Sequence, residues 1–222
     1  MFQLNSLPGD PHMASGPHPD RRTFLATVGV AGAAAGFARP TVRPSGRSAG
    51  WDMSWLDKLT GKHKQVFDVA SVGTALLAVA NYLDAFEEVY SLRHPAINTV
   101  VGIAGKGFPF NATDSLWSTW KLGERYEVKD PSTGTWAVRN IFYDKPGAAD
   151  TVKALQARGT IFWMCNNAIN RLARTWAGDA KRPVEEVRSE LIAGLNPGVI
   201  LIPAHTMLLG LCQERGCTYQ LV

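Results

Sequence analysis

The feature that most limits the fold of this chain is an alternation. Short, almost continuously apolar runs recur along it: KQVFDVAS, INTVVGIAG, TIFWMC, GVILIP and a final CTYQLV. Between them lie segments with helical periodicity. Leu76, Val79, Leu83, Phe86 and Tyr90 recur at three- and four-residue steps and mark one buried stripe. TVKALQARG is a helix that Gly159 closes, and PVEEVRSELIAG carries Pro183 at its first turn. NAINRLARTWAG and AHTMLLGLCQERG read as two further helices. Strands that are apolar throughout, rather than alternating, belong to parallel sheets covered on both faces. The expected fold is therefore α/β: a three-layer α/β/α sandwich around a mainly parallel sheet of about five strands, joined by right-handed crossovers.

The composition fits one such domain. The chain has 222 residues, 45% of them hydrophobic and 19% charged, enough for a single sizeable core. Its net charge of +4 is spread without a Lys/Arg block or an aromatic-basic repeat, which argues against nucleic acid as a partner. Residues 62–222 form the expected domain. Within it, residues 108–150 break the rhythm; they are turn-rich and aromatic, with one short helix expected around Leu116 to Leu122. An insertion of that length serves as a lid, a pocket wall or an oligomer contact. Trp51, Trp55, Trp117, Trp120 and Trp136 crowd segments that the sandwich does not need, and are expected to bury surface beneath the insertion or between subunits.

Residues 1–38 read as an export signal. Arg21 and Arg22 precede Phe24, Leu25 and a mildly apolar Ala/Gly run, the pattern of the twin-arginine route. That run is short for a bilayer span, so no stable membrane span is expected after cleavage, and the mature protein is expected in the periplasm or otherwise exported. Residues 39–61 form a Pro/Gly/Ser-rich linker and a short helix bearing Trp51 and Trp55.

Ligands of open parallel sheets bind beyond the carboxyl ends of the strands. Here those ends carry Ser71 and Gly73, then Gly105, Lys106 and Gly107, then Cys165, Asn166 and Asn167, then Pro203 and His205. Cys165 lies where a strand ends and a helix begins, a place whose free N–H groups and dipole favour an anion such as a thiolate. Asn166 or Asn167 is placed to cap that helix. His205 opens the next strand–helix turn and would activate the thiol if the two strands are neighbours. Lys106 supplies positive charge, and Gly105 permits close backbone approach. Each residue also has a plainer role: Cys165 as core, His205 as a helix cap, Lys106 as a solvated loop residue. Cys212 reads as core and Cys217 as exposed. A bridge between them is disfavoured, because positions five apart on a straight helix are separated by a rise of about 7.5 Å. No metal-ligand spacing, Gly-x-Ser-x-Gly elbow, Walker loop or complete dinucleotide pattern occurs, so neither a metal nor a cofactor is expected.

The segments GTIFWMCNNAINRLA and GVILIPAHTMLLGLCQERGCTYQLV resemble the DsrE/YchN-like family. They share a strand ending in Cys, a Pro-terminated strand, a helix, and an ending with Gln213, Gly216 and Tyr219. VFDV, the helix with Asn81 and Tyr82, and WKLGE (Trp120 to Glu124) fit as well. The resemblance implies a flavodoxin-like domain that assembles as a homotrimer or homohexamer. In some members a cysteine near a strand end carries sulfur as a persulfide; here that implies Cys165, with a small sulfur compound or a sulfur-relay protein as partner. Many other members have no established activity, which leaves a non-catalytic binding or assembly module as the alternative. The Asn-Asn after the cysteine, the insertion and the export signal depart from the simplest pattern, and export, which separates the protein from cytoplasmic relay partners, argues against transfer to tRNA-modifying enzymes.

The export reading has a direct test. Replacing Arg21 and Arg22 by lysine is expected to leave the precursor in the cytoplasm; undiminished export of the double variant contradicts it.

Overall fold

The computed structural model describes residues 50–222; the expected export signal and nearly all of the expected linker lie outside the described residues. The five expected strands are present: β1 (His63–Val69), β2 (Ile97–Ile103), β3 (Ile161–Cys165), β4 (Val199–Ile202) and β5 (Thr218–Leu221). All pair in parallel, in the order β4-β3-β2-β1-β5. Helix α1 (Ala75–Tyr90) joins β1 to β2, and three short helices follow β2: α2 (Phe108–Asn111), α3 (Asp114–Thr119) and α4 (Leu122–Arg125). Then come α5 (Val152–Ala157), α6 (Asn166–Ala180) and α7 (Val184–Ala193), and finally α8 (His205–Glu214) between β4 and β5. The protein is a three-layer, flavodoxin-like α/β/α sandwich.

The strand order positions the site. From β1 to β4 the chain steps in one direction, so right-handed crossovers stack α1, α5, α6 and α7 on one face. From β4 it steps back across three strands to β5, which puts α8 on the other face, against β1, β2 and β5. The reversal falls between β3 and β4, and the crevice beyond their carboxyl ends is where ligands of such sheets bind. Every residue of β2 is buried, as its apolar run implied. The final strand, β5, is exposed along its length because it is an edge.

Burial also follows the helical stripe. Leu76, Val79 and Leu83 are buried, Phe86 is half-buried, and Tyr90 in the last turn of α1 is 65% exposed. A 3-10 turn at Ser54–Lys58 buries Trp55 and Leu56 and sets the Trp55 ring 5.8 Å from that of Trp163.

The insertion is more helical than expected. In place of one helix around Leu116 to Leu122, α3 stops at Thr119, Lys121 adopts a left-handed φ of 50°, and α4 begins at Leu122. Asn140 staples this region from a buried position: its Nδ2 donates to the carbonyls of Pro109, Phe110 and Ala112, the last at 2.7 Å. Asn111 Nδ2 donates to the Trp163 carbonyl at 3.0 Å and ties the insertion to β3. Trp117 and Trp120 are buried within the chain, with indole N–H groups on the Pro109 carbonyl and Glu190 Oε1. Trp55, Trp117 and Trp120 thus find cover without a second subunit, whereas Trp136 is 43% exposed.

Replacing Asn140 by alanine strands the Ala112 carbonyl and the Phe142 N–H, while the Pro109 and Phe110 carbonyls keep Trp117 and Asn196 as donors. Each such group costs about 1–3 kcal/mol, so the variant is expected to unfold at clearly lower urea concentration; an unchanged midpoint contradicts this role.

Candidate functional site

Three neighbouring strands meet in one register row near their carboxyl ends. Asp68 of β1 aligns with Gly102 of β2, which aligns with Trp163 of β3. His205, the first residue of α8, closes over this row. Its Nε2 lies 2.8 Å from Asp68 Oδ1, and the indole Nε1 of Trp163 donates to its Nδ1 at 3.0 Å. Gly102 makes the arrangement possible. A Cβ there would fall 2.5 Å from Trp163 Cζ2 and 3.1 Å from His205 Cε1, so the two rings occupy the space that a side chain would take.

The network fixes a tautomer. An indole N–H only donates, so Nδ1 must accept; the ring proton then sits on Nε2 and is donated to the carboxylate. Tyr219 of β5 donates its hydroxyl to the other oxygen, Asp68 Oδ2, at 2.9 Å. That hydrogen bond to a carboxylate is the main reason the Tyr219 phenol ionises above its usual range. One carboxylate therefore holds α8 and the edge strand β5 to the centre of the sheet.

Cys165 closes β3 and serves as the N-cap residue of α6, with φ −75° and ψ 120°. It is 4% exposed, and among the described residues its thiol makes no hydrogen bond. The expected pairing of Cys165 with His205 is not formed, although β3 and β4 are neighbours, because Asp68 and Trp163 occupy both ring nitrogens. Neither asparagine caps α6: both lie inside it as its first two residues. Asn166 Oδ1 accepts from Arg188 Nη2 at 2.9 Å and Asn170 Oδ1 from Arg188 Nε at 2.7 Å, a clamp that binds α7 to α6. Asn167 is exposed.

Gly105 and Lys106 sit on a 3-10 turn (Gly105–Gly107) that packs against α6. A Cβ on Gly105 would lie 2.8 Å from Arg171 Nη2, so the Arg171 guanidinium rests over this glycine. Tyr126 donates its hydroxyl to the Gly105 carbonyl at 3.2 Å. Burial pushes the Tyr126 phenol far above its usual range despite the nearby charges of Arg125 and Arg171. Among the described residues, neither Lys106 nor Arg171 belongs to an ion pair. The carboxyl ends of β2 and β3 thus join Gly105, Lys106, Cys165 and Asn167, with Arg171 added from α6. His205 serves the second cluster, with Asp68, Gly102, Trp163 and Tyr219.

Among the described residues, no group of three or more His, Cys, Asp or Glu side chains is arranged to hold a metal ion. Likewise, no described helix is long and apolar enough to cross a membrane. A shallow groove of about 690 Å³, lined by Lys58, His94, Asn98, Gln156 and Thr160 among others, lies toward the amino ends of the strands, away from Cys165.

No known protein family and no curated protein matches the sequence. Among solved structures, it is similar to a protein of unknown function, MTH1491 from Methanobacterium thermoautotrophicum. The two are 15% identical over 72% of this chain and 99% of the other, with a TM-score of 0.39. A likeness that weak assigns no activity.

Gly102→Ala tests the row. Its methyl must displace the Trp163 indole, and overpacking of this kind costs about 1–3 kcal/mol. The variant is expected to unfold at lower temperature and to shift the tryptophan emission of the native state. A variant as stable as the parent, with unaltered emission, contradicts the packing described.

Proposed function

We propose that this protein carries a small sulfur species as a persulfide on Cys165, as do some DsrE/YchN-like proteins, the family its sequence resembles. The observation that carries the reading is the placement of Cys165. It stands at the reversal point of a parallel sheet, at the N-terminus of a 15-residue helix, beside a turn bearing Lys106 and covered by Arg171. The helix N-terminus, with Lys106 and Arg171 in no ion pair among the described residues, suits this end of the sheet to an anionic sulfur donor. His205 contributes no proton transfer in this reading; it anchors the α8 side of the crevice. In the transfer, the Cys165 thiolate attacks the outer sulfur of a donor persulfide. A new S–S bond forms on Cys165, the donor's S–S bond breaks, and the donor leaves as a thiolate, with no net oxidation. The donor is a small sulfur compound or a sulfur-relay protein, and the exposed edge strand β5 suits assembly of copies into a homo-oligomer. Export through the twin-arginine route belongs to the same proposal.

A second reading draws on the burial of Cys165 and the full engagement of His205. In it Cys165 is structural, and the Lys106–Arg171 cluster binds a small anion without covalent chemistry.

Incubation of the folded, reduced chain with a soluble polysulfide is expected to add one sulfur atom at Cys165, located by peptide mass spectrometry. Cys165→Ser abolishes that addition, and Arg171→Gln slows it. A folded chain that gains no sulfur at Cys165 overturns the persulfide reading. Sulfite binding lost on Arg171→Gln would then support the second.

A further inference from the structure

The closure of α8 brings the other two cysteines together. The helix ends at Glu214, and Gly216 adopts a left-handed φ of 81°. This reverses the chain so that the Gly216 N–H reaches the Gln213 carbonyl at 2.8 Å and the Cys217 N–H reaches the Cys212 carbonyl at 3.0 Å. In this paired closure the residue two past the C-cap, here Arg215, normally makes an apolar contact with the partner of its N–H. Here those two positions are Cys212 and Cys217. The straight helix assumed for their spacing ends at Glu214, and the glycine turn folds position 217 back. A single hydrogen bond between their own peptide groups holds the Cα atoms within the span that a disulfide bridges. Cys217 is also buried rather than exposed, at 6%, and Cys212 is completely buried. Both are free thiols in this structure.

We propose that Cys212 and Cys217 form a dithiol centre that exchanges with disulfide substrates, separate from Cys165. The two thiols are unlike. The Cys212 hydrogen bond, then the positive charges of Lys64 and Arg215, hold the Cys217 thiol below its usual range, against the opposing effect of burial. The Cys212 thiol is pushed far up, first by its hydrogen bond to Cys217 and then by burial. Burial, and then the charge of Cys217, raise the ionisation of Tyr82. Cys212 is completely buried while Cys217 keeps 6% of its surface exposed, so Cys217 is the attacking thiol and Cys212 the resolving one. The Cys217 thiolate attacks a sulfur of the donor disulfide, forms a mixed disulfide and releases one donor thiolate. That thiolate takes up the Cys212 proton. Cys212 then attacks the Cys217 sulfur, the internal S–S bond forms, and the second donor half leaves as a thiolate. The chain loses two electrons and the donor gains two.

The test uses the folded, fully reduced chain and oxidised glutathione, followed by alkylation and tryptic mapping. Cleavage after Arg215 separates the two cysteines, so an internal bond is read as two peptides held together. The expected product is the parent chain lighter by two hydrogen atoms, with Cys212 and Cys217 joined and Cys165 still able to be alkylated. Cys212→Ala is expected to stop at a stable mixed disulfide on Cys217. Cys217→Ser is expected to take up glutathione at Cys212 at least roughly tenfold more slowly. Cys212 and Cys217 both remaining unjoined and unmodified in the folded parent chain overturns the proposal, as does a bond from either to Cys165. Loss of sulfur loading at Cys165 with an intact internal exchange would instead fault the persulfide reading alone.

Discussion

The architecture around the candidate site depends on one buried contact set: the imidazole of His205 held between Asp68 and Trp163 above a glycine. The sheet is wound in one direction through four strands, and the fifth returns to the opposite edge. That return has to be fastened, because among the described residues α8 is the helix that covers this face, against β1, β2 and β5. His205 fastens the start of α8 to β1 and β3 at once. Tyr219, on the strand that follows α8, binds the same carboxylate. A charged acceptor makes both hydrogen bonds stronger than neutral ones, and stranding either partner inside the crevice would be costly.

This fastening divides the carboxyl edge into two clusters with different work. Around Asp68 every strong donor and acceptor is already matched, so the cluster supports structure. Around Cys165 the groups are unmatched among the described residues: a thiol without a hydrogen bond, and Lys106 and Arg171 outside any ion pair. The far end of α8 holds a third arrangement, two thiols joined through a glycine closure. All three cysteines therefore sit at helix ends, where backbone hydrogen bonding is irregular and the chain reverses.

Much of the fold was legible because periodicity and burial act locally. The β-branched run Ile97–Ile103 is buried throughout, and Gly159 ends α5 with a left-handed φ of 88°. The positions of Cys165 and His205 at strand–helix joints were legible for the same reason. Their partners were not. Asp68 in VFDV and Gly102 in INTVVGI were visible as an acid and a glycine inside apolar runs, a signal for a row across strands, but only strand order and register bring them together with Trp163. Asn166 sat correctly near a helix start, yet Arg188 from α7 claims its oxygen. Cys217 looked remote from Cys212 because spacing was measured along a straight helix, whereas the glycine after α8 bends the chain back.

The account's central claim is that His205 is a locked, neutral ring that fastens the sheet rather than a free base beside a thiol. A long-range proton–nitrogen correlation spectrum of the His205 imidazole tests it most directly. The predicted result at neutral pH is a proton on Nε2, an unprotonated hydrogen-bonded Nδ1, and an indole N–H of Trp163 protected from solvent exchange. A proton on Nδ1, or a ring averaging between tautomers while the Trp163 N–H exchanges freely, would contradict it.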